Sequence, residues 1–422
     1  MNYLERSWPT RLVAGWLLCA WLAPLSAGEP EALGASEASL LDYAESHSPQ
    51  LAVMALEYEA ARARADAVGR FEDPTVEIEL RDIERNAFSL SPSAAGSTRY
   101  LVSQSLPFFG KRDLEQRIAR SEAERAGALR IDTRRDVRQR IGAAYASYWS
   151  AGRSLQVLSE LAQTLDALEA LARARYASGL APQQDVLKAA VERSELARRR
   201  STFEAMQLES SAAINAALAR APDAALAPPR SPPPAATLPS LEELHQRLRS
   251  EHPALAAERA TVDSARLSEQ LIHRGRYPDL TLGVAPIQRG SALEAWDVML
   301  GFTLPLQVGR RRAQERAAHF TQLAAEARRN ALETDLAGSL GASWARWQAA
   351  EHQRKLLRDT LLPLAQANYR SAVASYQLGS VDFTTLLEAL REWRGSELDL
   401  IEMELDARLG VLQIERLAGG PP

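Results

Sequence analysis

The chain has 422 residues, 25% of them charged, with a formal net charge of −4 and a pI near 6.0. Nucleic-acid binders show a strong basic excess, which is absent here. The single cysteine is Cys19, so no thiol pair exists for a disulfide or a cysteine metal site in the rest of the chain.

Residues 1–27 read as a secretory leader. Arg6 and Arg11 supply the positive start, Leu12 to Leu25 the apolar core, and Leu25-Ser26-Ala27 the small residues for cleavage before Gly28. A spanning helix is the competing reading, but the run is too short and carries Pro24 near its end. Acylation of Cys19 stays open, although Leu18 is larger than the residue that normally precedes an acylated cysteine. No later run approaches the length of apolar sequence that a spanning helix needs.

The mature chain begins with an amphipathic helix over 39–70, broken near its start at His47-Ser48-Pro49 and ended by Asp73-Pro74. The period then changes. Val76, Ile78 and Leu80 alternate with Glu77, Glu79 and Arg81, and a second alternating run from Tyr100 to Leu106 completes a hairpin over 75–106. From Gly110 to about Tyr176 no proline occurs, and Leu155, Leu158, Leu161, Leu165, Leu168 and Leu171 recur at steps of three and four. An unbroken helix of that extent is roughly 100 Å long. It turns at Tyr176-Ala177-Ser178-Gly179 and returns to about Ala219, giving a long helical hairpin over 110–219.

A proline-rich linker over 227–240 follows, and then the plan repeats. A helix breaks at His252-Pro253, a hairpin spans 279–304, and a second rod opens at Gly309 and is interrupted by Pro363. It turns at Tyr376-Gln377-Leu378-Gly379 and returns to Leu417, a helical hairpin over 309–417. Pro278, Pro305 and Gly379 stand about 200 residues after Pro74, Pro107 and Gly179. The division is a leader over 1–27, a first repeat over 28–226, the linker, a second repeat over 241–417 and a tail over 418–422.

The expected fold is mainly α with a small β part: duplicated long antiparallel helical hairpins plus four strands per chain. Val76, Ile78 and Leu80, with Trp296, Val298, Leu300 and Phe302, form apolar strand faces. Glu77, Glu79, Arg81, Ser103, Asp297 and Thr303 lie on the opposite faces. Such strands suit a barrel with lipid outside and water inside. Four cannot close, and open edges are not tolerated in lipid, so three copies giving twelve strands is the expected assembly. The bland alternative is a soluble two-stranded clip on a helical bundle. The six histidines include no pair at helical spacing, and no phosphate loop or nucleophile motif occurs, so neither a metal site, a cofactor nor an enzyme is expected.

In this order of elements, stated twice, the chain resembles the outer-membrane efflux proteins, the TolC-like channels. Ser105-Leu106-Pro107-Phe108-Phe109-Gly110-Lys111-Arg112 is similar to the strand-to-rod junction of the CzcC-like heavy-metal branch, with Thr303-Leu304-Pro305-Leu306 as its partner. The resemblance implies a homotrimer forming a twelve-stranded barrel in outer-membrane lipid and a periplasmic α-helical barrel. It also implies a periplasmic adaptor (membrane fusion) protein and an inner-membrane RND-type pump as partners. The implied role is a passive duct for heavy-metal cations, with drug efflux and type I protein secretion as alternatives. A pore-free periplasmic coiled-coil scaffold is the alternative of another class.

Glycine is expected in the left-handed region at both rod ends. The resemblance makes these ends the adaptor contact: Gly179, Leu180, Gly379, Ser380 and Val381. It aligns Asp185 and Tyr376 with a tip latch, a bond of about 1–3 kcal/mol if half-buried. Glu388 aligns with a pore-lining acid, Thr385 occupies a second such place without charge, and Val381 stands where the family's companion arginine would be.

Overall fold

Prolines and small polar residues set the helix boundaries. The computed structural model describes residues 32–83, 90–92, 95–230, 232–233 and 238–419. The leader with Cys19, the linker residues 231 and 234–237, and Gly420-Pro421-Pro422 lie outside the described residues. Helix α1 (Glu37–His47) is capped by Ser36, whose hydroxyl accepts from the Ser39 N–H at 3.3 Å. Helix α2 (Pro49–Val68) follows after the single extended residue Ser48, so the break expected there is complete. The second half repeats this. Helix α5 (Leu241–Glu251) opens on a capping box between Ser240 and Glu243, and α6 (Pro253–Arg274) follows the extended His252.

Strands β1 (Thr75–Ile83), β2 (Ala95–Leu106), β3 (Asp279–Arg289) and β4 (Ala292–Thr303) form one antiparallel sheet in that order. The two hairpins are therefore fused through β2 and β3, with β1 and β4 as open edges. Strand β2 begins earlier than its alternation at Tyr100, because β1 supplies partners as far as Ile83 opposite Ala95. Between them Asp82 takes a left-handed φ of 56°, and a Cβ on Gly96 would stand 2.8 Å from the Asp82 Cβ. Only glycine lets the strands pass at that irregularity.

The strand-to-rod turn uses Phe109 and Gly110, both at positive φ. Lys111 then locks the two halves together. Its ammonium donates to the Tyr277 carbonyl at 2.9 Å and to the Asp279 carboxylate at 2.8 Å.

Helix α3 (Lys111–Ala177) runs 67 residues unbroken, and α4 (Gln183–Ala217) returns along it. The second rod is α7 (Val308–Leu356) and α8 (Leu362–Gln377), joined by a π turn over Leu357–Leu361, with α9 (Phe383–Ala418) returning. Pro363 accounts for the π turn. It has no N–H to donate, and its ring would collide with the Asp359 carbonyl in a regular helix. Helix α3 packs against α2, α4, α6 and α9, so it is the axis common to both halves.

Three apolar clusters hold the rods together. One joins the far ends of α3, α4, α8 and α9 through Leu165, Leu168, Ala189, Ala372, Phe383 and Leu386. The other two correspond across the repeat. Leu40, Ile141, Tyr145 and Ile214 seat α1 on the first rod, and Leu244, Leu248, Leu340 and Ile414 seat α5 on the second. Among the described residues no helix is long and apolar enough to cross a membrane.

Candidate functional site

Strand register decides what each face of the sheet offers. Val76 lies opposite Val102, Val102 opposite Val284, and Val284 opposite Val298, a row of valines across all four strands. Directly opposed residues share a face. The neighbouring rows place Leu282 beside Leu300, Leu280 beside Phe302, and Pro286 beside Trp296. This face is bare: Trp296 is 67% and Val298 82% exposed. On the other face Arg99 stands between the carboxylates of Glu79, at 3.6 Å, and Asp297, at 3.3 Å, while Arg81 binds Glu79 at 2.8 Å. That face is not wholly polar, since Leu101 and Ala285 are buried on it.

At the far end of the rods the two repeats close with the same turn. Gly179 has φ 71° and Gly379 φ 74°. The Gly179 N–H donates to the Tyr176 carbonyl at 3.0 Å and the Leu180 N–H to the Arg175 carbonyl at 2.8 Å. In the second repeat Gly379 donates to Tyr376 at 3.0 Å and Ser380 to Ser375 at 2.9 Å. Both are Schellman caps, which need a residue without a Cβ penalty at the left-handed position. The turns push apolar side chains into solvent: Leu180 is 69% and Leu378 83% exposed. Gly179 and Ser380 are exposed and Val381 is half-buried against the tip cluster.

The repeated tyrosines part company. Tyr176 is exposed, whereas Tyr376 is 2% exposed and packs on Phe383 with ring centroids 5.5 Å apart. Burial pushes the Tyr376 phenol up; the Arg175 charge opposes this and the Asp185 charge adds to it. Asp185 is buried beside it, its carboxyl pushed up by burial and by Asp382, against the pull of Lys188 and Arg175. The two groups are brought together without a hydrogen bond between them, because the Tyr376 hydroxyl is buried with no partner.

The side-chain hydrogen bonds that cross between the first and second helical hairpins start from residues that sequence reasoning passed over. Arg175 donates to the Tyr376 carbonyl at 2.6 Å, and its guanidinium carbon lies 4.6 Å from the centre of the Tyr376 ring. Lys188 donates to the Thr384 hydroxyl at 2.6 Å, and Arg391 donates from Nε to Glu192 at 2.7 Å. Asp382 caps α9 by accepting from the Thr385 N–H at 2.9 Å and the Thr385 hydroxyl at 2.7 Å, bonds that hold its carboxyl low. Glu388 is exposed on α9. A signal for these residues does exist: the repeat offset sets Arg175 against Ser375, Asp185 against Thr385 and Lys188 against Glu388, so charge differs where the punctuation agrees.

Two of the six histidines meet glutamates across α6 and α7. His273 lies 3.4 Å from Glu315 and His319 lies 3.1 Å from Glu269. Among the described residues, no three metal-ligating side chains are grouped so as to hold an ion.

A family model described as outer membrane efflux protein matches residues 40–220 and 244–420, once in each half. No curated protein matches the chain. Among solved structures, the outer-membrane channel OprN is similar at a TM-score of 0.78 and 19% identity, over 91% of this chain and 90% of that one. CusC, described in connection with transmembrane channel formation, gives 0.78 and 16%, over 91% and 92%. The outer membrane protein VceC from Vibrio cholerae gives 0.76 and 19%, over 91% and 96%. At these identities the likeness carries the fold.

Proposed function

The chain belongs to the outer membrane efflux protein family, and from that premise we propose that it is the passive exit duct of a tripartite efflux assembly. It resides in the outer membrane, with a long periplasmic helical portion. The observation that carries the duct reading is the sheet: one continuous bare apolar face, a charged opposite face, and two open edges, set on rods about 100 Å long. Unpaired strand edges are not viable in lipid. Pairing β4 of one copy with β1 of the next, three times over, closes twelve strands. Helices next to the two edges support such lateral contacts, with Val53 and Leu56 exposed on α2 and Phe320 and Leu323 on α7. A pore-free scaffold gives Trp296, Val298, Leu300 and Phe302 nothing to face.

Energy for transport comes from an inner-membrane RND-type pump, reached through a periplasmic adaptor that docks on the tip at Gly179, Leu180, Gly379, Ser380 and Val381. Exposed Leu180 and the two caps support that surface. Asp185 and Tyr376 belong to the closure of the tip, and an exposed ring of three Glu388 carboxylates attracts cations at its mouth. The proposed cargo is heavy-metal cations, supported by the Ser105–Arg112 junction and by the acid at Glu388; drugs or a secreted protein are the alternatives. Fractionation, gels and planar bilayers test the duct: an outer-membrane, heat-modifiable trimer that conducts ions is expected, and a soluble periplasmic monomer overturns it. A deletion strain hypersensitive to cadmium, cobalt or zinc supports the metal cargo, and one hypersensitive only to drugs overturns it.

A further inference from the structure

We propose that Arg175 is the pin that holds the tip closed, fastening the second helical hairpin of each chain to the first at Tyr376 while the tyrosine hydroxyl stays idle. The inference rests on the duct reading above and names the residue that regulates its aperture.

Two rod ends, those of α3 and α8, arrive side by side at the tip. Each helix C-terminus carries unsatisfied carbonyls and about half a negative charge. Two such ends repel unless a cation sits between them, and Arg175 is placed there. It lies in the last turn of α3, and its guanidinium donates to the Tyr376 carbonyl, in the last turn of α8, at 2.6 Å. That carbonyl already accepts from the Gly379 N–H at 3.0 Å, and its two lone pairs serve both donors. The same guanidinium lies 4.6 Å from the centre of the Tyr376 ring, within the range of a cation–π contact. A planar guanidinium can stack on the ring and donate at its edge together; an ammonium cannot.

The tyrosine therefore contributes its ring and its backbone. Its hydroxyl is buried without a hydrogen-bond partner. The second repeat has Ser375 where the first has Arg175, so each chain carries one pin. The residue that the family resemblance assigns to a cation, Val381, is apolar and half-buried against the tip cluster. Arg175 supplies a cation from the other turn.

The test uses the full-length protein with two readouts. In planar bilayers, Arg175→Ala is expected to raise mean resting conductance several-fold and Arg175→Lys to raise it less. Tyr376→Leu, which removes the ring face, should behave like Arg175→Ala, while Tyr376→Phe should match the unaltered protein. Heat stability of the trimer on gels should be the same for all four, separating gating from folding. In parallel, spin labels on the exposed Ser178 and Leu378 positions report the distance between the two turns in detergent. Arg175→Ala should lengthen and broaden it; Tyr376→Phe should not. An unchanged distance in Arg175→Ala, or a widened tip in Tyr376→Phe, overturns the proposal. An Arg175-dependent distance in a protein that conducts no ions upholds the pin and overturns the duct.

Discussion

At the scale of single residues, burial decides which charges matter. Asp185 is the case at the tip. Its carboxyl is pushed up by burial first, with Asp382 adding and Lys188 and Arg175 opposing. A raised carboxyl pKa means that the packed tip favours the neutral acid. That contribution is fully present below the ordinary aspartate range and is lost as pH rises through the raised pKa. Mild acid should therefore lower resting conductance, and Asp185→Asn should flatten that part of the pH profile in bilayers. Near mid-rod, Arg408 on α9 donates to both oxygens of Glu37 on α1 at 3.0 Å, and both side chains are about nine-tenths buried. Glu415 lies close by, its carboxyl pushed up by burial, with the Arg408 charge opposing and Glu37 adding. Removing Arg408 strands the buried Glu37 and leaves Glu415 with Arg138 alone as a nearby cation, whereas removing Glu37 leaves Arg408 the Glu415 carboxylate nearby. Arg408→Ala should cost about 3–5 kcal/mol and Glu37→Ala less, read by thermal unfolding of the helical signal.

At the scale of elements, local chemistry sets the boundaries and long-range pairing sets the extensions. The repeated breaks at Ser48-Pro49 and His252-Pro253, and the caps at Gly179 and Gly379, were legible because proline and glycine act on their own backbone. The early start of β2 was not, because Ala95 and Gly96 become strand only through β1. Pro363 was legible as an interruption; the π turn that absorbs it was not. Pro363→Ala restores the missing donor and removes the ring clash, so hydrogen exchange over 357–361 should slow, and the second rod should gain stability of up to about 3 kcal/mol. Unchanged exchange there would assign the π turn to packing against α9 instead.

For the molecule as a whole, the sheet's two faces and two edges carry the argument. Val298 ends the bare valine row on β4, midway along that strand, and Asp297, one residue away, lies on the charged face near Arg99. Val298→Arg should cost about 2–4 kcal/mol at mid-bilayer depth and deplete the protein from the outer-membrane fraction. Asp297→Asn, which points the other way, should leave the amount in that fraction unchanged while altering ion selectivity. Equal depletion by both would show that the faces are not lipid and water.

The linear order of residues determined the duplication, the rods, the alternating strands and the two glycine turns. Each depends on the period and conformational preference of residues close together in the chain. Tertiary structure alone decided that the hairpins fuse through β2 and β3, that Tyr376 is buried while Tyr176 is not, and that Arg175 rather than a tyrosine hydroxyl joins the two turns. The fused hairpins and the Arg175 link rest on contacts between residues roughly 175 to 200 positions apart. At that separation, in a chain with 50 basic and 54 acidic residues, sequence spacing cannot say which charge meets which partner.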